Sequence, residues 1–157
     1  MREISKLNAG LFSSNKDDWE TPQELFNNLN AVFNFTLDPC STHENAKCEK
    51  HFTVQEDGLK QDWGGETVFC NPPYGKKIKD WVRKCYEEQK HADIVLLIPA
   101  RTDTSYFHKY IYKKAEIEFI KGRLRFEQNG VPGDSAPFPS MLVYFKNKEK
   151  GDQSCQS

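Results

Sequence analysis

The stretch "DIVLLIPA", from Asp93 to Ala100, constrains this chain more than any other. A run this apolar, without alternation, has no face to offer water, so it reads as a strand buried on both sides at the centre of a sheet. "TVFC", from Thr67 to Cys70, has the same character. Between the two, Ile78, Trp81, Val82 and Cys85 recur at helical spacing and form one apolar face. A strand, an amphipathic helix and a second buried strand predict an α/β sheet with parallel strands at its centre.

The remaining segments extend that frame. "TPQELFNNLNAVF" carries a set of helix-start signals: Thr21 as N-cap, Pro22 at the first helical position and Glu24 completing a capping box. Leu25, Leu29, Val32 and Phe33 form its core face. "FNFTLDPCS" is a short strand stopped at Asp38-Pro39, because proline cannot continue a central strand. "THENAKCEK" has the composition for one or two helical turns, and "HFTV" for a brief strand. "TSYFHKYIYKKA" reads as a helix, "EIEFIKGRLRF" as a strand with an extension, "EQNGVPGDSAPFP" as a loop and "SMLVYF" as the last strand. The expected organisation is one domain over residues 17–145, with a flexible N-terminus at 1–16 and a flexible tail at 146–157.

At 157 residues the chain suits a single domain with a real core. No apolar run approaches membrane-spanning length and no leader pattern opens the sequence, so a cytoplasmic protein without a membrane partner is expected. Five cysteines, an odd number, do not read as a disulfide framework. The net charge of -1 conceals a polarity. Residues 17–72 hold eleven acidic and three basic side chains, whereas 73–125 hold thirteen basic and seven acidic. The second half can therefore face a polyanion.

In open α/β sheets ligands sit beyond the carboxyl ends of the strands. Three unusual stretches follow strands here: "DPCS", "NPPY" and "PART". "NPPY" has a chemical reading. The exocyclic amine of a nucleobase is a poor nucleophile, because its lone pair is delocalised into the ring. The Asn71 side-chain carbonyl and the Pro72 main-chain carbonyl can accept its N–H bonds and stabilise positive charge growing on nitrogen. Pro72 and Pro73 hold these acceptors rigidly, and the Tyr74 ring can cover the flat face of the base. The plain alternative is an ordinary turn, since Asn-Pro and Pro-Tyr-Gly are common turn formers. The position after a buried strand and before an amphipathic helix favours chemistry.

The chain resembles the small phage-type DNA N6-adenine methyltransferases, amino-methyltransferases that share an (Asp/Asn/Ser)-Pro-Pro-(Tyr/Phe) motif. The resemblance rests on "DWETPQELF", "LDPCS", "EDGL", "VFCNPPYG", "IPARTD" and "KGRLRF", in that order. It implies an abridged Rossmann-like fold, S-adenosylmethionine as methyl donor and a flipped-out DNA adenine as acceptor. Asn71, Pro72, Pro73 and Tyr74 become the catalytic loop, with Asn71 also beside the donor. Thr21, with Trp19 and Pro22 next to it, falls in the donor-binding segment. Asp38 pairs with the donor's ammonium or sulfonium region while Pro39, Cys40 and Ser41 pass close to it. Asp57 matches the carboxylate that binds the donor's own adenine, with Gly58 and Leu59 alongside. "DPCSTHEN" departs from the family in lacking a glycine-rich loop, and Glu56 is only the nearest carboxylate for the ribose.

Lys76 and Lys77 follow the catalytic loop, Arg101 follows the central strand, and Arg123 and Arg125 lie in "GRLRF". All five suit phosphate contacts if their loops share the active edge. The stretch from Glu127 to Pro139 has room for sequence readout or a flipping wedge. A rival use of Cys40, His43, Cys48 and His51 is a zinc site with Cys-x2-His spacing twice over, which would withdraw Cys40 from the donor loop. Methyl transfer to an amine requires no metal, and none is assigned. Other acceptors compatible with the motif are cytosine N4, RNA or a protein glutamine amide. A non-catalytic DNA-binding relic is the alternative of a different class.

Overall fold

The structure is a computed structural model that describes residues 17–149. The expected flexible N-terminus, 1–16, and residues 150–157 of the expected tail lie outside the described residues. The helices are α1 (Gln23–Phe33) and α2 (Ile78–Glu88). The strands are β1 (Thr67–Cys70), β2 (Asp93–Pro99), β3 (Glu116–Phe119), β4 (Glu127–Gln128), β5 (Val131–Pro132) and β6 (Ser140–Phe145). The main sheet has the order β1-β2-β6-β3, and β4 and β5 form a separate hairpin.

β1 and β2 pair in parallel, Val68 opposite Ile94, with α2 as their crossover. Leu37 adds an isolated parallel bridge to Val68, and Asp38 one to His51. The expected strand around "FNFTLDPCS" is thus reduced to this bridge. β6 runs antiparallel to both β2 and β3. Parallel pairing therefore occupies one half of a mixed sheet instead of its centre, and β2 is the strand where the halves meet. Its whole run from Ile94 to Pro99 is buried, which explains the missing alternation.

Successive strand residues point to opposite faces. On one face Phe69 of β1 meets Phe26 of α1 edge-on, with ring centroids 5.3 Å apart. On the other, the neighbouring Cys70 thiol lies against Cys85 of α2. The sheet is thus a middle layer between two helices. In α2 the buried positions are Ile78, Trp81, Val82 and Cys85, as their spacing predicts. In α1 Leu25, Leu29 and Phe33 pack on the core as expected, beside the buried anchor Phe26, whereas Val32 stands 73% exposed.

Three further expectations change. Thr21 is not the N-cap of α1; Pro22 occupies that place, and its own side chain makes no capping hydrogen bond. The free Gln23 N–H donates instead to a Glu127 carboxylate oxygen at 2.9 Å. "THENAKCEK" forms turns without a helix, and "TSYFHKYIYKKA" contracts to a short π-helix at Phe107–Ile111. The stretch read as one loop contains the β4–β5 hairpin, turned by Asn129 and Gly130 at φ 53° and 79°. Positive φ at both turn residues matches the right-handed twist of the strands they join. Beyond β6 the chain remains attached, with the Asn147 N–H donating to Asp93 Oδ1 at 2.8 Å.

Candidate active site

Leu37, β1 and β2 run in parallel, so the stretches that follow them leave the sheet at one edge. "DPCS" and "NPPY" touch there: Cys40 Sγ donates to the Asn71 main-chain carbonyl at 3.3 Å and lies 3.8 Å from Cys70 Sγ. "EDGL" joins them through Gly58, where a Cβ would stand 2.0 Å from the Pro39 carbonyl oxygen. No side chain fits against backbone at that distance, so glycine is required. Gly58 thus lets "EDGL" pack directly on the backbone of the "DPCS" loop.

Asn71 is half-buried and its amide is held from three sides. Nδ2 donates to the Trp19 carbonyl and to Thr21 Oγ1, the latter at 2.9 Å. Tyr74 donates its hydroxyl to Asn71 Oδ1 at 2.7 Å, with the Leu97 carbonyl of β2 a second acceptor at 3.2 Å. Two acceptors on one side and a donor on the other fix which end of the amide is the carbonyl. That oxygen has two lone pairs, and Tyr74 occupies one. Among the described residues no hydrogen bond reaches the Pro72 carbonyl. The loop therefore keeps an acceptor on the side chain of Asn71 and another on the backbone of Pro72. Pro72 is buried and Pro73 half-buried.

The Tyr74 ring is buried, and burial pushes its phenol well above the usual value. Trp19 lies near-parallel to it at a centroid distance of 6.4 Å. Phe126 and Phe138 meet Tyr74 edge-on at 6.1 and 5.7 Å, completing an aromatic cluster. Neither phenylalanine was singled out by sequence: Phe126 closes the stretch read as a strand with an extension, and Phe138 falls in the stretch read as a loop. At Gly75 (φ 145°) a Cβ would stand 2.6 Å from the Asp17 carboxylate, while the Tyr74 N–H donates to the Asp17 carbonyl at 2.7 Å.

Asp38 is 5% exposed, and both its oxygens serve its own loop. They accept from the Cys40 N–H at 3.3 Å and the Lys47 N–H at 2.9 Å. Burial pushes the carboxyl up, against the pull of those N–H groups and of the nearby His51 and Lys47 charges. Asp57 is half-buried at φ 57°, and its Oδ1 accepts from the Leu59 N–H at 3.1 Å. Ser41 Oγ is buried without a partner among the described residues. Glu56 is exposed.

Lys76, Lys77, Arg101, Arg123 and Arg125 are all exposed, and none forms a salt bridge among the described residues. Trp63 and Trp81 belong to the core, stacked at 6.4 Å with Trp63 fully buried. His43 and His51 face each other at 2.8 Å, but Cys40 turns toward Asn71. Burial, then the Asp38 and Glu66 charges, push the Cys48 thiol up to about 12. Among the described residues no three His, Cys, Asp or Glu side chains are arranged to hold a metal ion. A hollow of about 580 Å³, lined by residues that include Thr36, Lys47 and Lys50, opens beside the start of β1, at the end of that strand away from Asn71.

The family described as DNA N-6-adenine-methyltransferase (Dam) matches residues 8–156. The chain belongs to that family. It is 31% identical over 141 residues to a DNA N-6-adenine-methyltransferase of Haemophilus phage HP1, covering 86% of this chain and 82% of the relative. It is 32% identical to one of Escherichia phage T1 over 73% of this chain and 49% of that longer protein. A 65-residue stretch is 35% identical to the putative methyltransferase YfdM of Escherichia coli, covering 37% of this chain and 71% of that protein. In this family member no helix among the described residues is long and apolar enough to cross a membrane.

Proposed function

We infer that this family member transfers a methyl group to the exocyclic N6 of adenine in DNA, using S-adenosylmethionine, with Asn71 and Pro72 receiving the amine. Family membership supports the reaction class. The observation that carries the site assignment is the Asn71 amide, oriented by Trp19, Thr21 and Tyr74 beside a Pro72 carbonyl without an internal donor.

The donor supplies a methyl group on a positively charged sulfur. Its site fits the joined "DPCS" and "EDGL" loops: Ser41 Oγ is a buried hydroxyl without a partner, and Asp57 keeps its second carboxylate oxygen out of the hydrogen bond to Leu59. Asp38 supports this site by bracing the loop from within, and Cys40 fixes it against Asn71. Thr21 and Trp19 act through Asn71, whose amide they hold.

At the acceptor, Asn71 Oδ1 and the Pro72 carbonyl accept the two amine N–H bonds and draw them out of the ring plane, which localises the lone pair on nitrogen for attack on the methyl group. Both acceptors are placed before the substrate arrives, so stabilising the developing charge requires little reorganisation. Once methylated, the nitrogen is acidic and releases its proton to water, so no general base is needed. In a duplex the amine lies within the stack, and swinging the base out costs a few kcal/mol. The aromatic cluster around Tyr74 offsets part of that cost when a ring face is presented to the base. The exposed cations at Lys76, Lys77, Arg101, Arg123 and Arg125 neutralise phosphates on either side.

Incubation with radiolabelled donor and unmethylated DNA, followed by digestion to nucleosides, tests this reading. Label is expected in N6-methyl-2′-deoxyadenosine, and Asn71→Ala should lower the rate by roughly a hundredfold to a thousandfold, as expected for removal of one oxyanion-hole-type contact. Label in cytosine, or DNA binding with no label at all, overturns it.

A further inference from the structure

The segment from Asp17 to Thr21 lies between two elements far apart in sequence. On one side it holds the catalytic loop through the Tyr74 N–H and the Asn71 amide. On the other it holds the hairpin. The Glu127 N–H donates to the Glu20 carbonyl at 2.9 Å, and the Asn129 N–H to the Glu20 carboxylate at 3.2 Å. Hydrogen-bonded backbones run ~4.8 Å apart, and Phe126, next to Glu127, meets the Tyr74 ring at 6.1 Å, so the hairpin base lies beside the Asn71 loop. The major groove of B-DNA is itself about 12 Å wide, so a duplex that presents one base to Asn71 also covers the hairpin.

The hairpin surface suits that contact. Gln128, Asn129, Gly130 and Pro132 are exposed and uncharged, and Val131 is 65% exposed. Below the tip, the pairings of Gly133 with Phe126 and of Ala136 with Leu124 continue the two arms past Arg125. The exposed Arg123 and Arg125 thus accompany an uncharged tip that presents Val131. The Glu20 and Glu127 carboxylates at its root are turned onto backbone N–H groups.

We propose that the β4–β5 hairpin contacts the duplex beside the target adenine through Val131, and that this contact is transmitted to Asn71 through the 17–21 strap. The inference rests on the reading of Asn71 as the residue that receives the amine. Duplex engagement bears on the hairpin; the hairpin bears on Glu20; Glu20 adjoins Trp19 and Thr21, which orient the amide.

Two variants test the halves separately. In an Asn71→Ala background, Val131→Ala should weaken binding of a fluorescent duplex about tenfold. The same change at Val32, exposed on α1 to a similar degree, should leave it unaltered. This measurement needs no methyl transfer, so it stands whether or not the chemistry is correctly assigned. In the otherwise native protein, Glu20→Ala should lower kcat on duplex severalfold at unchanged duplex affinity. A single-stranded oligonucleotide of the same sequence should show no such loss. Unchanged duplex affinity in Val131→Ala overturns the contact, and unchanged kcat in Glu20→Ala overturns the transmission.

Discussion

Asn71 and Asp38 sit on neighbouring loops at one sheet edge, yet their polar atoms are used in opposite ways. Asp38 turns both oxygens inward, onto N–H groups of its own loop, and is sealed from solvent. Asn71 is anchored just as firmly, but its three partners leave one lone pair of Oδ1 and the adjoining Pro72 carbonyl without internal donors. The difference separates a residue that shapes a site from one that acts in it. Both are polar residues at the end of a strand, and the distinction lies only in what their partners leave over.

The sharpest way to break this contrast is to give Asn71 the chemistry of Asp38. In Asn71→Asp a carboxylate oxygen would replace the Nδ2 that now donates to the Trp19 carbonyl and Thr21 Oγ1. The threonine hydroxyl can reverse and donate, but the Trp19 carbonyl cannot. Ionised, the new side chain faces an oxygen without a proton between them; protonated, it restores the donor. Its folded pKa is therefore raised above the unfolded value. Stability from this group is fully present below the unfolded pKa and is lost as pH rises through the folded one. The penalty for the ionised form is about 3 kcal/mol, roughly a hundredfold in rate at neutral pH. Rate and thermal midpoint relative to the native protein should both recover on acidification. A variant with native rates at pH 8 would mean that the amide is not held as described.

The converse change removes Asp38. Asp38→Ala strands two backbone N–H groups, at a cost of about 1–3 kcal/mol. For a chain of this length each kcal/mol lowers the thermal midpoint by about 2–4 °C. A lower midpoint with donor affinity altered only a fewfold, by calorimetry, fits a brace. An unchanged midpoint with donor affinity down tenfold or more would make Asp38 a direct donor ligand.

What the sequence revealed follows from the range of the interactions involved. "DIVLLIPA" and the Ile78–Cys85 face report burial, which the pattern of apolar residues records locally, and both appear as expected. The Asn-Pro-Pro-Tyr loop was legible because its chemistry is carried by four adjacent residues. The strap was not. Thr21 carries the local signature of an N-cap, but its hydroxyl is engaged by Asn71, 50 positions away, and its capping role passes to Glu127, 104 positions from Gln23. The hairpin was hidden for a different reason: Asn129-Gly130 is a strong turn signal, but strands of two residues on either side are too short to show alternation. The aromatic cluster of Trp19, Tyr74, Phe126 and Phe138 joins three separate segments and leaves no trace in any one of them.

Thr21 gives the smallest effect and the finest test of the contrast. Its hydroxyl is 3% exposed as part of the residue and accepts from Asn71 Nδ2, so it belongs with the groups that orient the amide. Thr21→Val keeps the shape and deletes the acceptor. The Trp19 carbonyl still holds Nδ2, so the loss is one neutral hydrogen bond, about 1 kcal/mol or roughly fivefold. If Thr21 orients Asn71, that factor falls on kcat with donor KM unchanged, and Thr21→Ser restores it. If Thr21 instead binds the donor's methionine portion, donor KM rises and kcat is spared. The kinetic split thus assigns the residue to the amide or to the donor, a choice on which the helix-start signature in the sequence is silent.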